Sequence, residues 1–189
     1  MKKLVVGGGV AGVAVALAAG VFLAVGSGGS GKAQPAQAQG EDPVGKQLAA
    51  ARAATAKYQR VEEALADGYV ADGFCIGSPA GAMGDHYVRV DLLGDGILDP
   101  EKPEVLLYMA GENGKPKLVA VEYFKPDADQ NLSTSGDKPS LFGQPFDGPM
   151  LGHNDTMPIH YDLHVWLWAN NPAGMFAQFN PSLTCPPAP

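Results

Sequence analysis

The sequence predicts an α+β domain: one long N-terminal helix packed on an antiparallel sheet of four or five strands, with a curved, pocket-forming sheet as one version of it. Three observations carry this. Residues 44–66 place Val44, Leu48, Ala51, Ala54, Tyr58, Val61 and Leu65 three or four apart, which gives one apolar stripe on a helix. Four later segments, 86–93, 104–110, 117–124 and 159–168, carry strand patterns. Asn113-Gly114 lies between two of them, and that dipeptide is the strongest short hairpin signal.

The chain has 189 residues. Lys2 and Lys3 precede an uncharged, mostly apolar run to Gly26, and AQPAQA offers Ala36 and Ala38 as the small residues of a cleavage site. The expectation is an export signal over 1–38, a linker over 39–43 and a single α+β domain over 44–189. An uncleaved N-terminal anchor is the alternative, because the apolar run approaches spanning length. Gly7, Gly9 and Gly12 spell the glycines of a dinucleotide turn, but GSGGSGKAQPAQAQGEDP follows where a second strand is needed. Neither NAD nor FAD is expected. The expected location is secreted, periplasmic or cell-surface.

The 13 basic residues include Lys2, Lys3 and Lys32, so a chain cleaved after Ala38 keeps ten against 20 acidic ones, a formal charge of −10. Nucleic acid and anionic membrane both need clustered Lys and Arg, so neither is an expected partner; a metal ion or small molecule is. The two cysteines, Cys75 and Cys185, both lie in the exported part and are expected to pair in an oxidising compartment.

The helix of 44–66 starts at Asp42-Pro43 and stops at Asp67-Gly68. Residues 73–84 read as a Gly/Pro loop. His86, Val88, Val90 and Leu92 alternate with Tyr87, Arg89 and Asp91 as a strand over 86–93. The turn-rich stretch after it, with Asp91, Asp95 and Asp99, resembles a calcium loop only faintly, since Lys102 stands where the bidentate Glu belongs. EVLLYMA and KLVAVEYF form a hairpin, and Glu122 lies on the second strand's face with Leu118 and Ala120. Residues 125–158 read as a long loop, with LFGQPF expected as a docking patch.

In 159–168, Ile159, Tyr161, Leu163, Val165 and Leu167 form one face, and His160, Asp162, His164, Trp166 and Trp168 the other. All four histidines, His86, His153, His160 and His164, lie in the expected domain, with Met150 and Met157 interspersed. Imidazoles with a carboxylate bind zinc, copper or iron, and thioethers favour Cu(I). The candidate metal ligands are therefore His160, His164, Asp162, His153 and His86, for Cu or Zn. Trp166, Trp168, Met150, Met157 and Glu122 are candidate pocket residues.

GAMGDHYV, LDPEKPEVLLY, LVAVEYF, LFGQPFDGPM and HYDLHVWLWANNPAGMFAQFNPSLTC resemble an uncharacterised family of exported bacterial proteins with MGxHY and HVWLWxxNPxGxFA segments. The resemblance covers roughly residues 46–185. It implies a secreted α+β domain with a Cys pair, and it brings no activity. Three readings stay open: metal or small-ligand binding through the His/Asp face, a pocket enzyme using His/Asp acid–base chemistry, and a non-catalytic envelope module whose histidines are structural.

Overall fold

Asp42 opens the first helix: its carboxylate accepts the N–H of Val44 (3.0 Å), and Pro43 occupies the first turn, where its missing N–H costs nothing. The helix α1 (Pro43–Thr55) thus begins inside the expected 39–43 linker. The computed structural model describes residues 42–153 and 157–186. The expected export signal lies outside the described residues. Among them no helix is long and apolar enough to cross a membrane.

The long helix expected over 44–66 is broken. After α1 come a 3₁₀ turn (Ala56–Gln59) and a short α2 (Val61–Ala66), with Arg60 in an extended conformation between them. Every residue from Ala56 to Arg60 tolerates a helix, so propensity gives no warning. The break comes from tertiary contacts. Tyr58 is buried edge-on against Tyr69 (5.2 Å), and its carbonyl accepts the hydroxyl of Tyr108 (2.6 Å) instead of continuing the helical ladder.

The expected 73–84 loop is a hairpin of β1 (Val70–Ser78) and β2 (Gly81–Val88). The expected strand over 86–93 stops at Val88, and Val90–Asp95 form α3, ended by Gly96 at φ 69°. The reason is register: β3 (Val105–Ala110) begins opposite Val88, and past that pair the Arg89 N–H makes the last cross-strand bond, to the Glu104 carbonyl (2.9 Å). Asp91, Asp95 and Asp99 hold Arg89 and the N–H groups of Ile97 and Glu101, which makes them turn-forming side chains.

β4 (Pro116–Pro126) follows the expected Asn-Gly connection. A bulge at Leu107/Tyr108 inserts one extra residue in β4, so Leu118 turns to the helix side while Ala120 and Glu122 keep the other. The expected common face of Leu118 and Glu122 is therefore split. Within 125–158 lie a small hairpin, β5 (Ser140–Leu141) and β6 (Gln144–Pro145), and β7 (Asp147–Met150). The LFGQPF patch is internal: Phe142 and Phe146 are buried in the main core, with Phe142 edge-on to Tyr123. β8 (His160–Val165) is the last strand.

The fold is α+β, with a curled antiparallel sheet of order β1-β2-β3-β4-β8-β7, six strands rather than four or five. Its two faces differ. α1 and α2 cover one, where Ala51, Tyr58, Leu106, Tyr108, Tyr123 and Leu163 make the larger core. The other holds a small core of Val105, Leu107, Val119, Ala120 and Trp166, against which Leu183 of the C-terminal segment packs. That segment is tied down by a bridge between Asn180 and Ala82 and by the Cys75–Cys185 disulfide (Cα–Cα 5.6 Å). Closing a loop of this length is worth on the order of 4–5 kcal/mol in the chain-entropy model.

Candidate metal centre

The second face also carries the histidines. Register sets their arrangement. Glu122 pairs with His164 across β4–β8, Phe124 with Asp162 and Pro126 with His160. His86 lies two strands from Glu122, beyond β3, and its side chain reaches across. His86, Glu122, Asp162, His160 and His164 are all buried.

His86, Glu122 and His164 form one compact group, with their ligand atoms within 4.8 Å of one another. His86 Nε2 lies 3.3 Å and His164 Nε2 3.7 Å from Glu122 Oε2. Around the other side of His164, its Nδ1 is 3.6 Å from Asp162 Oδ1, and His160 Nε2 is 3.8 Å from Asp162 Oδ2. Charge-assisted hydrogen bonds close to about 2.7–2.9 Å. Donor atoms about 2.0–2.1 Å from a shared tetrahedral ion stand roughly 3.3 Å apart. Two separations in the first trio, 3.3 and 3.7 Å, are nearer the second spacing than the first.

The hydrogen-bond count agrees. Among the described residues eight buried side-chain N and O atoms make no hydrogen bond, and seven are here: His86 Nε2, Glu122 Oε2, His160 Nε2, both Asp162 oxygens and both His164 nitrogens. Buried polar groups are ordinarily satisfied, so seven orphans in one cluster demand a partner. Two rings are also pre-set. His86 Nδ1 lies 3.1 Å from the Gly84 carbonyl, and His160 Nδ1 3.1 Å from that of Pro158. A carbonyl only accepts, so Nδ1 donates, and that bond turns the Nε2 edge of each ring to the cluster. That is how outer partners orient metal-ligating histidines.

Electrostatics bind the cluster together. Burial pushes the Glu122 carboxyl up, but His164 and His86 hold it below its ordinary value. Burial likewise raises Asp162, and His164 and His160 more than reverse it, leaving the carboxyl well below the usual range. For His164 burial acts downward, yet Glu122 and Asp162 on its two sides raise it to about 9. Without a metal, His164 is an imidazolium between two carboxylates.

The expected ligands thus come together, centred differently. The His160/Asp162/His164 face does not itself form the compact trio; Glu122, expected as a pocket residue and not as a metal ligand, is at its middle. His153 lies on the solvent side, its ring 6.0 Å from His86 and 5.8 Å from His160, and partial desolvation lowers its pKa. Met150 pairs with His160 across β7–β8, and its sulfur takes an N–H from Gln178 (3.5 Å). The Met157 sulfur accepts the backbone N–H of His153 (3.4 Å). Both tryptophans leave the site. Trp166 is core and donates to the Ala177 carbonyl (2.6 Å). Trp168, beyond the end of β8, turns to α1, where it donates to Thr55 (3.2 Å) under the Arg52 guanidinium. Asp147, which no sequence pattern singles out, pairs with Asp162 across β7–β8; burial and then Asp162 raise its pKa.

Beside the cluster is a cleft of about 550 Å³. Val88, two residues after His86, and Phe124, stacked on His160 at 4.6 Å, form part of its wall with Val90, Leu93 and Met157. A second cleft of about 470 Å³ beside the disulfide contains no ionisable side chain.

No protein-family model, curated protein or solved structure matches this chain.

Proposed function

We propose that this protein binds one divalent transition-metal ion, Zn(II) or Cu(II), through His86, Glu122 and His164. The observation that carries the reading is a buried trio whose ligand atoms lie within 4.8 Å of one another, inside a cluster with seven buried side-chain atoms that make no hydrogen bond. Two imidazoles and a carboxylate, with no thiolate, are the donor set of open zinc sites, and imidazole suits copper equally. Asp162 and His160 hold the far side of His164 and set its orientation; His153 closes the solvent side.

A trio leaves a coordination position for water or a ligand oxygen. The adjoining cleft falls within the size range of small-molecule sites and is mainly apolar. It favours a small apolar molecule as the species that reaches the ion, and this supports a pocket enzyme as the second reading. The disulfide agrees with action outside the cytoplasm.

Elemental analysis of untagged protein, followed by Zn(II) and Cu(II) titration, tests the proposal. One equivalent of metal is expected, lost in His86→Ala with His164→Ala. Sub-stoichiometric metal, or unchanged affinity in the double variant, rejects it in favour of structural histidines.

A further inference from the structure

Among the described residues that line the cleft of about 550 Å³, Asp72 alone is ionisable. Val70, Val88, Val90, Leu93 and Phe124 make the wall around it apolar. Val70 and Val90 are 60% and 70% exposed, so much of that wall stands in water, and covering it is favourable. Asp72 lies on β1 where the pairing with β2 slips between Ala71 and Cys75, and its side chain is exposed. Its Oδ1 accepts the Phe74 N–H (3.0 Å). Among the described residues no Lys, Arg or His forms a salt bridge with it.

The surrounding charges leave this carboxylate uncompensated. Burial and then Asp72 raise the Asp85 carboxyl above its ordinary value, so a second acid lies within electrostatic reach. The cations next in sequence to the wall are engaged elsewhere. Arg89, between Val88 and Val90, donates twice to Asp91 (3.0 and 3.1 Å) and lies 5.8 Å from the Tyr69 ring. Lys125, beside Phe124, donates to the Gly96 carbonyl (2.6 Å).

We propose that this cleft binds a small hydrophobic amine, with its apolar body on Val70, Val90 and Phe124 and its ammonium at Asp72. A carboxylate head would meet Asp72 with no cation on the described wall to offset it. A neutral head would leave the charge of Asp72 unmatched. An alkylammonium stays charged at pH 7, because amines of the lysine type titrate near 10. At an apolar wall its attraction to a carboxylate is screened less than in open water. The cleft volume lies within the range of small-molecule sites. The cleft adjoins the histidine centre, but none of these contacts needs an ion, so amine binding does not depend on the metal reading.

Octylamine, octanol and octanoate share one chain and differ in head charge. Calorimetric titration of the full chain at pH 7 is expected to find octylamine about three- to fivefold tighter than octanol, as an exposed ion pair supplies, with octanoate the weakest. Asp72→Asn keeps an oxygen for the Phe74 N–H and is expected to bring octylamine and octanol level. Val90→Arg puts a bulky cation at an exposed wall position and is expected to weaken octylamine at least about tenfold, with the melting temperature held. EDTA is expected to leave octylamine binding unchanged. Absence of saturable octylamine binding overturns the proposal, as does equal or tighter binding of octanol or octanoate. So does an amine preference that survives Asp72→Asn. Loss of octylamine on adding EDTA also overturns it, since the amine would then sit on the ion. Failed metal titration with the amine preference intact rejects the metal reading alone.

Discussion

The proposed metal binding at this centre would have to displace a proton. In the metal-free protein His164 is raised to about 9 by Glu122 and Asp162, against 6.5 for an ordinary imidazole. A metal takes the neutral ring, so at pH 7 it competes with a proton held about two pH units too tightly. At about 1.4 kcal/mol per unit, the proton weakens apparent metal affinity about 100-fold, or about 2.7 kcal/mol. Two results follow. Zn(II) affinity, measured by chelator competition, should rise about tenfold per pH unit from pH 6.5 to 8.5 and level off near 9. Calorimetry at pH 7 in buffers of different ionisation enthalpy should count about one proton released per metal. Glu122→Gln removes a ligand and one of the two charges holding that proton, so it should weaken binding at least about 100-fold and flatten the pH slope. A pH-independent affinity over 7–8.5, with no proton released, would refute the reasoning: His164 would then be neutral, and the carboxylates would not face it as described.

In the metal-free protein the same shifts govern stability. His164, raised from 6.5 in the unfolded chain, contributes fully below pH 6.5 and loses its contribution as pH climbs through 9. Glu122 and Asp162, lowered, contribute above their unfolded values near 4 and lose that as pH falls; this is one interaction seen from both partners, so the contributions are not added. Glu104 should act separately. Burial raises its carboxyl to about 8, so its neutral form is fully accommodated below pH 4.5 and stability falls as pH rises to 8. Glu104→Gln keeps an oxygen for the Phe124 N–H and should be the more stable protein at pH 8 by a few kcal/mol in urea melts; equal pH profiles would remove this role. Cys75→Ser with Cys185→Ser should cost about 4–5 kcal/mol in denaturant melts, and a loss under about 1 kcal/mol would contradict the loop-closure account. Gly81→Ala places a Cβ 2.2 Å from the Asn180 carbonyl at φ 125°, and should lower the melting temperature by about 10 °C, with hydrogen exchange rising first at the Asn180–Ala82 bridge.

Much of the sheet was legible because its strands declare a period. EVLLYMA, KLVAVEYF and IHYDLHVWLW became β3, β4 and β8, and the alternation in the last put His160, Asp162 and His164 on one face with Trp166. The β1–β2 hairpin was not legible. GFCIGSPAGAMG has glycine and proline where strand signals need β-branched residues, and β2 is held along the edge away from β1 by β3 and, at Ala82, by the Asn180 bridge. The helix break at Ala56–Arg60 was equally silent, since Tyr58 and Tyr108 make it from 50 residues apart.

For the site the same division holds. The sequence by itself determined the donor chemistry, four imidazoles with nearby carboxylates, and that three of the donors share a strand face. Only the tertiary structure decided which of them meet. Register places Glu122 opposite His164, the bulge at Leu107/Tyr108 turns Leu118 away from the face that Glu122 keeps, and His86 arrives from two strands away. The strand's end at Val165 sends Trp168 to the helix. Periodicity fixes where a side chain points along its own strand, because alternation is a local property of the backbone. Which donors share an ion depends on pairing between strands, and that is set by the packing of the whole sheet.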